Sequence, residues 1–208
     1  MLLAAGCGRR IGAPKALLPL GDGSFLTACA ARLERPGVDR RLAVTGCEAG
    51  AVAAEAARVP GLELVENPAY EEGMLGSVLV GLERAAASGA DAILLHPVDH
   101  PLVAAATIDR VVAALEAGAR IAVPSWELRR GHPLGVASAA WPALRGAPAG
   151  RGARAVLREH PDWIEHVEGD AGCVAGVNTR DDYERLIGPL TAIRQPGPSA
   201  AGGRGSRG

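Results

Sequence analysis

Met1-Leu2-Leu3-Ala4-Ala5-Gly6-Cys7-Gly8-Arg9-Arg10-Ile11-Gly12-Ala13-Pro14-Lys15 opens the chain. Five apolar residues run straight into a segment with three glycines and three cations. A short strand feeding a glycine-rich basic loop suits the holding of phosphates. Glycine lets backbone N–H groups approach an anion closely, and Arg and Lys neutralise its remaining charge. Two common versions of such a loop are excluded by spacing. A Walker A loop needs Gly-Lys-Ser/Thr in succession, whereas Ala13-Pro14 separates Gly12 from Lys15. The dinucleotide fingerprint GxGxxG fails as well, because Ile11 holds its third glycine position and Gly12 arrives one residue late.

Beyond the loop, apolar runs alternate with helical stretches, the pattern of a βαβ-built, mostly parallel sheet. Strands are predicted at Met1–Leu3, Arg41–Thr45, Leu62–Val65, Asp91–Leu95, Arg120–Val123 and Pro133–Val136. Helices are predicted at 25–33, 48–59, from near Ser77 to Ala87, and at 107–117, 152–159 and 181–187. The fold expected is α/β: a three-layer α/β/α sandwich with a Rossmann-like, mainly parallel sheet. One domain over residues 1–190 suits the 208-residue length, with 191–208 expected to be a disordered tail rich in Pro, Gly, Ser and Arg. Aromatics make up only 3% of the chain, so its core must be aliphatic.

Charge and cysteines narrow the function classes. Lys+Arg of 22 against Asp+Glu of 23 leaves a net charge of -1, with no basic field for a nucleic acid. No apolar run approaches the ~20 residues of a membrane span. The four cysteines (Cys7, Cys29, Cys47 and Cys173) are scattered without a CxxC pair. That spacing suits a reduced cytoplasmic protein better than a disulfide framework or zinc site. Cys7 reads as a small filler residue.

In open α/β sheets ligands bind beyond the carboxyl ends of the strands, so the residues that follow each strand matter most. Asp99 sits in the proline-bracketed loop His96-Pro97-Val98-Asp99-His100-Pro101 after a buried strand. Magnesium takes one or two carboxylates plus substrate phosphates and waters, so Asp99 is a candidate Mg²⁺ ligand; a helix cap is the plainer alternative. His100 suits a substrate-contacting or supporting role, and His96 a structural one. Ser77 lies near a predicted helix start, where free N–H groups attract anions or a base edge, though it could simply cap the helix. Gly131-His132-Pro133 follows a polar excursion that resembles an acceptor-binding flap. In Asn178-Thr179-Arg180-Asp181-Asp182, Thr179 is placed to cap a helix while Asn178 or Asp181 faces the site.

Taken together, these stretches resemble MobA-like nucleotidyltransferases. The carriers are Leu3-Ala4-Ala5-Gly6-x-Gly8-x-Arg10-x-Gly12-x-Pro14-Lys15, Asn67-Pro68-x-Tyr70-x-x-Gly73-Met74-x-x-Ser77, Pro97-x-Asp99-x-Pro101, Gly131-His132-Pro133 and Asn178-Thr179-x-x-Asp182. They fall in the family's order over residues 1–190, most like its molybdenum cofactor cytidylyltransferase branch. The resemblance implies a nucleotide-diphospho-sugar transferase-like fold. It implies transfer of CMP from CTP to molybdopterin with release of pyrophosphate, Mg²⁺ as cofactor, and a molybdoenzyme as a downstream partner. It assigns Leu3, Ala4, Ala5 and Gly6 to base and ribose, and Gly8, Arg10 and Lys15 to the triphosphate. Ser77 goes near the base and Asp99 on the metal, while His100, His132 and Asn178 fall on the acceptor side. Ala5 stands where guanylyl-transferring relatives tend to carry glycine, and its methyl group favours a pyrimidine. Transfer to a sugar- or polyol-phosphate, and a non-catalytic role in cofactor delivery, are the alternatives.

Overall fold

A computed structural model describes residues 1–148 and 152–190. The tail expected at 191–208 lies outside the described residues. In chain order the strands are β1 (Leu2–Leu3), β2 (Pro19–Leu20), β3 (Gly23–Ser24), β4 (Arg41–Thr45), β5 (Leu62–Glu66) and β6 (Ala92–Pro97). They continue as β7 (Ile121–Trp126), β8 (Arg129–Arg130), β9 (Leu134–Ala137) and β10 (Ile164–Glu168). The helices are α1 (Phe25–Arg32), α2 (Ala49–Ala56), α3 (Met74–Ala87), α4 (Ala105–Glu116), α5 (Trp141–Arg145), α6 (Ala153–Glu159), α7 (Ala171–Val174) and α8 (Arg180–Leu186).

The main sheet runs β10-β7-β9-β6-β1-β4-β5, with β8 folded back on the end of β7. Only β9 runs antiparallel to its two neighbours in that row. The fold is therefore α/β with a mostly parallel central sheet. Side-chain alternation along the strands divides the core into two layers. Leu2, Ala43, Leu94 and Ala122 face α1, α2 and α4. Leu3, Val44, Leu95 and Val123 face α3, α5 and α6. Fully buried leucines such as Leu26, Leu33 and Leu82 dominate this packing. Each stabilises the fold by about 1.5–3 kcal/mol through removal of apolar surface from water.

Helix boundaries follow local chemistry where a local signal exists. Ser24 and Thr27 form a reciprocal capping box that starts α1. Gly73, at φ 121, starts α3 at Met74. Ser77 is therefore inside the helix, and the free amides of its N-terminus belong to the residues before it. That corrects the helix start expected near Ser77. For α4 the cap comes from far away: Asp170 accepts from the Ala104 amide at 3.0 Å and from Thr107 Oγ1 at 2.5 Å. The polar excursion Ser125–Arg130 is a hairpin, because β7 runs on to Trp126 and β8 pairs back against it. Strand β10, which pairs in parallel along the full length Ile164–Glu168, was not expected. Its composition, Ile-Glu-His-Val-Glu, is that of a polar edge strand. No helix among the described residues is long and apolar enough to cross a membrane.

Candidate nucleotide site

Three chain segments meet at the carboxyl edge of the sheet. The first is the loop after β1. Gly8 adopts φ 60, and a Cβ there would overlap the carbonyl oxygen of Ala13, so only glycine fits. The Ile11 and Gly12 amides both donate to the Gly8 carbonyl at 2.9 Å, which closes residues 8–12 into a turn. Ile11, in the position that broke the dinucleotide fingerprint, is buried with Ala13, Leu18, Phe25, Val177 and Tyr183. Tyr183 Oη also donates to the Pro19 carbonyl at 2.8 Å. This small cluster ties the basic loop to the chain before α8.

The second segment carries Asp99, just past the end of β6. The third carries Asn178, held because the Val177 amide donates to the Asp99 carbonyl at 2.8 Å. Their side chains converge on Lys15, whose Nζ lies 2.6 Å from Asp99 Oδ2 and 2.7 Å from Asn178 Oδ1. Arg10 Nη2 reaches the same Asn178 oxygen at 3.3 Å. Lys15 and Asp99 are each less than a fifth exposed, so this is a partly desolvated pair at the mouth of the loop. Asn178 suits such a place, since its neutral oxygen holds two cations without competing with Asp99 for charge. Thr179 caps α8 in a box with Asp182, and Asp182 also accepts from the Asn178 amide at 3.1 Å. The helix cap thus orients Asn178.

The remaining expected residues divide. Leu3, Ala4 and Ala5 are buried where β1 runs into the loop. Each also gives a backbone group to the neighbouring strands: the Leu3 carbonyl to the Val98 amide, the Ala4 amide to Val44, and the Ala5 carbonyl to Cys47. Gly6 is exposed, with open space where a Cβ would stand. Ser77 is buried, and its hydroxyl accepts from Asn67 Nδ2 at 3.0 Å. Asn67 in turn accepts from the Ala69 amide, so this pair fixes the β5–α3 loop. Arg9 points away to Glu71 at 3.5 Å.

His100 and His132 form a tilted pair with ring centroids 4.7 Å apart, and His100 Nε2 is 3.9 Å from Asp99 Oδ1. Burial, reinforced by His100, pushes His132 down to about 4. Burial also lowers His100, against the pull of Asp99. His96 lies far below its ordinary value for the same reason, with both ring nitrogens unpartnered. At neutral pH these three imidazoles are therefore uncharged. These shifts have a consequence for stability. The unfolded chain binds protons near pH 6.5 that the folded chain refuses, so stability holds above that pH and falls as pH drops toward 4. For His132 alone the loss is up to about 3 kcal/mol. Thermal melts between pH 7 and 4.5 are expected to show a steep fall in Tm that His132→Gln makes shallower; an unchanged slope would refute the assignment.

One expectation about the cysteines is overturned. Cys7 is joined to Cys47 in a disulfide with Cα atoms 5.2 Å apart. The reason lies in strand register. Leu3 pairs with Val44 in the parallel β1–β4 ladder, so residues just past each strand end come together despite a sequence separation of 40. Cys29 and Cys173 are free and buried. Sequence spacing cannot reveal such a pairing, because it does not show which strands are neighbours.

Magnesium suits this donor set. Among the described residues no cluster of three or more His, Cys, Asp or Glu forms a self-sufficient metal cage. One carboxylate beside a glycine-rich basic loop matches a cation that takes few protein ligands and draws the rest from a phosphate-bearing substrate and water.

Comparison with known proteins bears on the family and the fold. A family model described as "MobA-like NTP transferase domain" matches residues 1–164. The chain is 32% identical to a protein of Paenarthrobacter nicotinovorans named nicotine blue oxidoreductase, over 90% of this chain and 95% of that one. It is 36% identical to a molybdenum cofactor guanylyltransferase of Cereibacter sphaeroides, over 58% of this chain and 63% of that one. Among solved structures, Rv0371c from Mycobacterium tuberculosis H37Rv superposes with a TM-score of 0.77 at 32% identity, covering 89% of this chain and 95% of that one.

Proposed function

The chain belongs to the MobA-like NTP transferase family, and from that premise we propose that it transfers CMP from CTP to the phosphate of a molybdopterin-type acceptor. Nucleotidyl transfer of the MobA-like type is the family's chemistry; donor base and acceptor are this proposal's own. The observation that carries the reading is the meeting of Lys15, Asp99 and Asn178 at the mouth of the glycine-rich loop.

An acceptor phosphate oxygen attacks the α-phosphorus, the bond to the bridging oxygen breaks, and pyrophosphate departs on the opposite side. This chemistry depends on positioning and charge neutralisation, and the acceptor phosphate ionises without a dedicated base. Gly6 to Arg10 would receive the phosphates on backbone amides, since the Ile11 and Gly12 amides are taken by the Gly8 carbonyl, and Lys15 would swing from Asp99 to the α-phosphate. Arg10 would meet the leaving pyrophosphate. Asp99, freed from Lys15, would hold Mg²⁺, which when bound supplies further neutralisation of phosphate charge. His100 and His132 would offer the acceptor neutral hydrogen-bonding groups. A cytoplasmic setting, with a molybdenum-containing enzyme receiving the product, belongs to the same proposal.

CTP as donor rests on Ala5, whose methyl group narrows the base pocket. CTP is expected to be preferred to GTP, and Ala5→Gly is expected to relax that preference. Selectivity for GTP in the unaltered protein would reverse the donor assignment while leaving nucleotidyl transfer in place. The whole-length relative named an oxidoreductase supplies the competing reading. Pyrophosphate release with each NTP and molybdopterin, run beside reduction of nicotine blue with NADH or NADPH supplied as the electron donor, separates the two. Dye reduction without pyrophosphate release would overturn the transferase proposal.

A further inference from the structure

We propose that Cys7 and Cys47 form a reversible thiol–disulfide site, open to low-molecular-weight thiols, whose closed form orders the glycine-rich loop for nucleotide phosphates. The effect on nucleotide rests on the transferase reading above; the exchange site itself does not.

Four observations meet here. Cys7 lies between Gly6 and Gly8, inside the segment whose amides would receive phosphate, so its side chain is the loop's covalent handle. Cys47 lies beyond β4 on the neighbouring strand, where its amide already donates to the Ala5 carbonyl at 3.2 Å. Reduction would therefore leave the two loops adjacent and their cysteines in reach of each other, the arrangement that lets a disulfide re-form. Both residues are half-buried and so accessible from solvent. By contrast Cys29 and Cys173 are fully buried, and burial pushes the Cys29 thiol up to about 12. Exchange chemistry is thus confined to one pair, because a thiol that cannot ionise cannot attack a disulfide. Finally, Arg10 is exposed near Cys7 and, bonded only to the neutral Asn178 oxygen, gives an incoming thiolate a favourable field, whereas Arg9 is engaged by Glu71.

The step balances with a dithiol such as dithiothreitol as co-reactant. Its thiolate attacks one sulfur of the Cys7–Cys47 bond, forming a mixed disulfide and releasing the other cysteine as a thiolate. The reagent's second thiol then attacks the mixed disulfide. Two electrons and two protons reach the protein as two cysteine thiols, and the reagent leaves as its cyclic disulfide.

The direction of the effect follows from where the bridge sits. Residues 8–12 are closed by their own hydrogen bonds to the Gly8 carbonyl, but Gly6 has no neighbour within 4 Å of where a Cβ would stand. A glycine on either side of Cys7 gives the reduced loop many conformations, and ordering each residue costs about 1–2 kcal/mol. The disulfide removes much of that freedom before any ligand arrives, which raises affinity by preorganisation.

The test compares the full chain in oxidised form, after dithiothreitol, and as Cys47→Ser. Thiol trapping with mass readout is expected to show one pair opening under mild reductant and closing again when a low-molecular-weight disulfide such as oxidised glutathione replaces it and takes up the two electrons, with Cys29 and Cys173 unlabelled. Hydrogen exchange of the ligand-free protein is expected to quicken at the hydrogen-bonded amides of residues 11, 12 and 47 on reduction and in Cys47→Ser, while the sheet stays protected. Calorimetry with Mg²⁺-CTP is expected to show roughly three- to tenfold weaker binding in both opened forms. A pair that resists mild reductant, or exchange that is unchanged on opening, overturns the inference. Equal or tighter CTP binding after opening overturns the ordering role. If no form binds CTP while exchange responds as stated, it is the transferase reading that fails, and the redox site stands on its own.

Discussion

Asp99→Ala is expected to lower pyrophosphate release by roughly 10³-fold while the fold persists. Asp99 is the carboxylate that approaches Lys15, at 2.6 Å, and it stands at the end of a strand buried on both faces. Its removal takes away the anionic ligand that a magnesium ion would need beside the nucleotide phosphates. Stability should change little, because Lys15 keeps Asn178 as a partner at 2.7 Å and the Asp99 backbone still receives the Val177 amide. Thermal melting of the variant controls for folding, and magnesium titration of CTP binding gives a second readout. In the unaltered protein affinity should rise with magnesium; in Asp99→Ala that dependence should flatten. Near-normal release by the variant would move the metal elsewhere in the site.

Lys15→Ala is expected to reduce kcat by about 10²–10³-fold, more than it weakens CTP binding, by analogy with losing one preorganised donor to a developing oxyanion. The distinction comes from when the charge forms. An interaction that strengthens only as the transition state is reached lowers kcat on removal, whereas uniform binding raises KM. In the ligand-free chain Lys15 is already neutralised by Asp99, so its interaction with CTP in the ground state replaces an existing ion pair and adds little net affinity. Arg10 is exposed and holds Asn178 only at 3.3 Å, so Arg10→Ala should fall more on binding and on pyrophosphate departure. Release kinetics and calorimetry on both variants decide the matter. Loss confined to affinity in Lys15→Ala would favour a binding protein over an enzyme.

The sequence by itself determined the fold class and the identity of the loop. The alternation of apolar runs with helical stretches is a local pattern, and most of the predicted strands stand within a residue or two of where that pattern ends. The glycines and cations of residues 6–15 are likewise local, since positive φ and close approach are properties of the individual residue. Capping was legible at Thr179, whose partner Asp182 lies within one turn, whereas the Ser24–Thr27 box came only with the structure.

What the sequence left open needed strand order and long-range contact. Edge strand β10 has too polar a composition to announce itself. The cap of α4 comes from Asp170, 66 residues away from Ala104. Ser77 became a buried partner of Asn67 because Gly73 starts its helix a turn early, which a lone glycine does not reveal. The convergence of Lys15 on Asp99 and Asn178 joins segments 84 and 163 residues apart, brought together by the β1–β6 pairing and by the cluster around Ile11 and Tyr183. The Cys7–Cys47 bond is the sharpest case. Two cysteines that looked scattered lie past the ends of adjacent parallel strands, and only the β1–β4 register makes them neighbours. Local propensity is written residue by residue, whereas adjacency at the carboxyl edge of a sheet exists only once the strands have chosen their order.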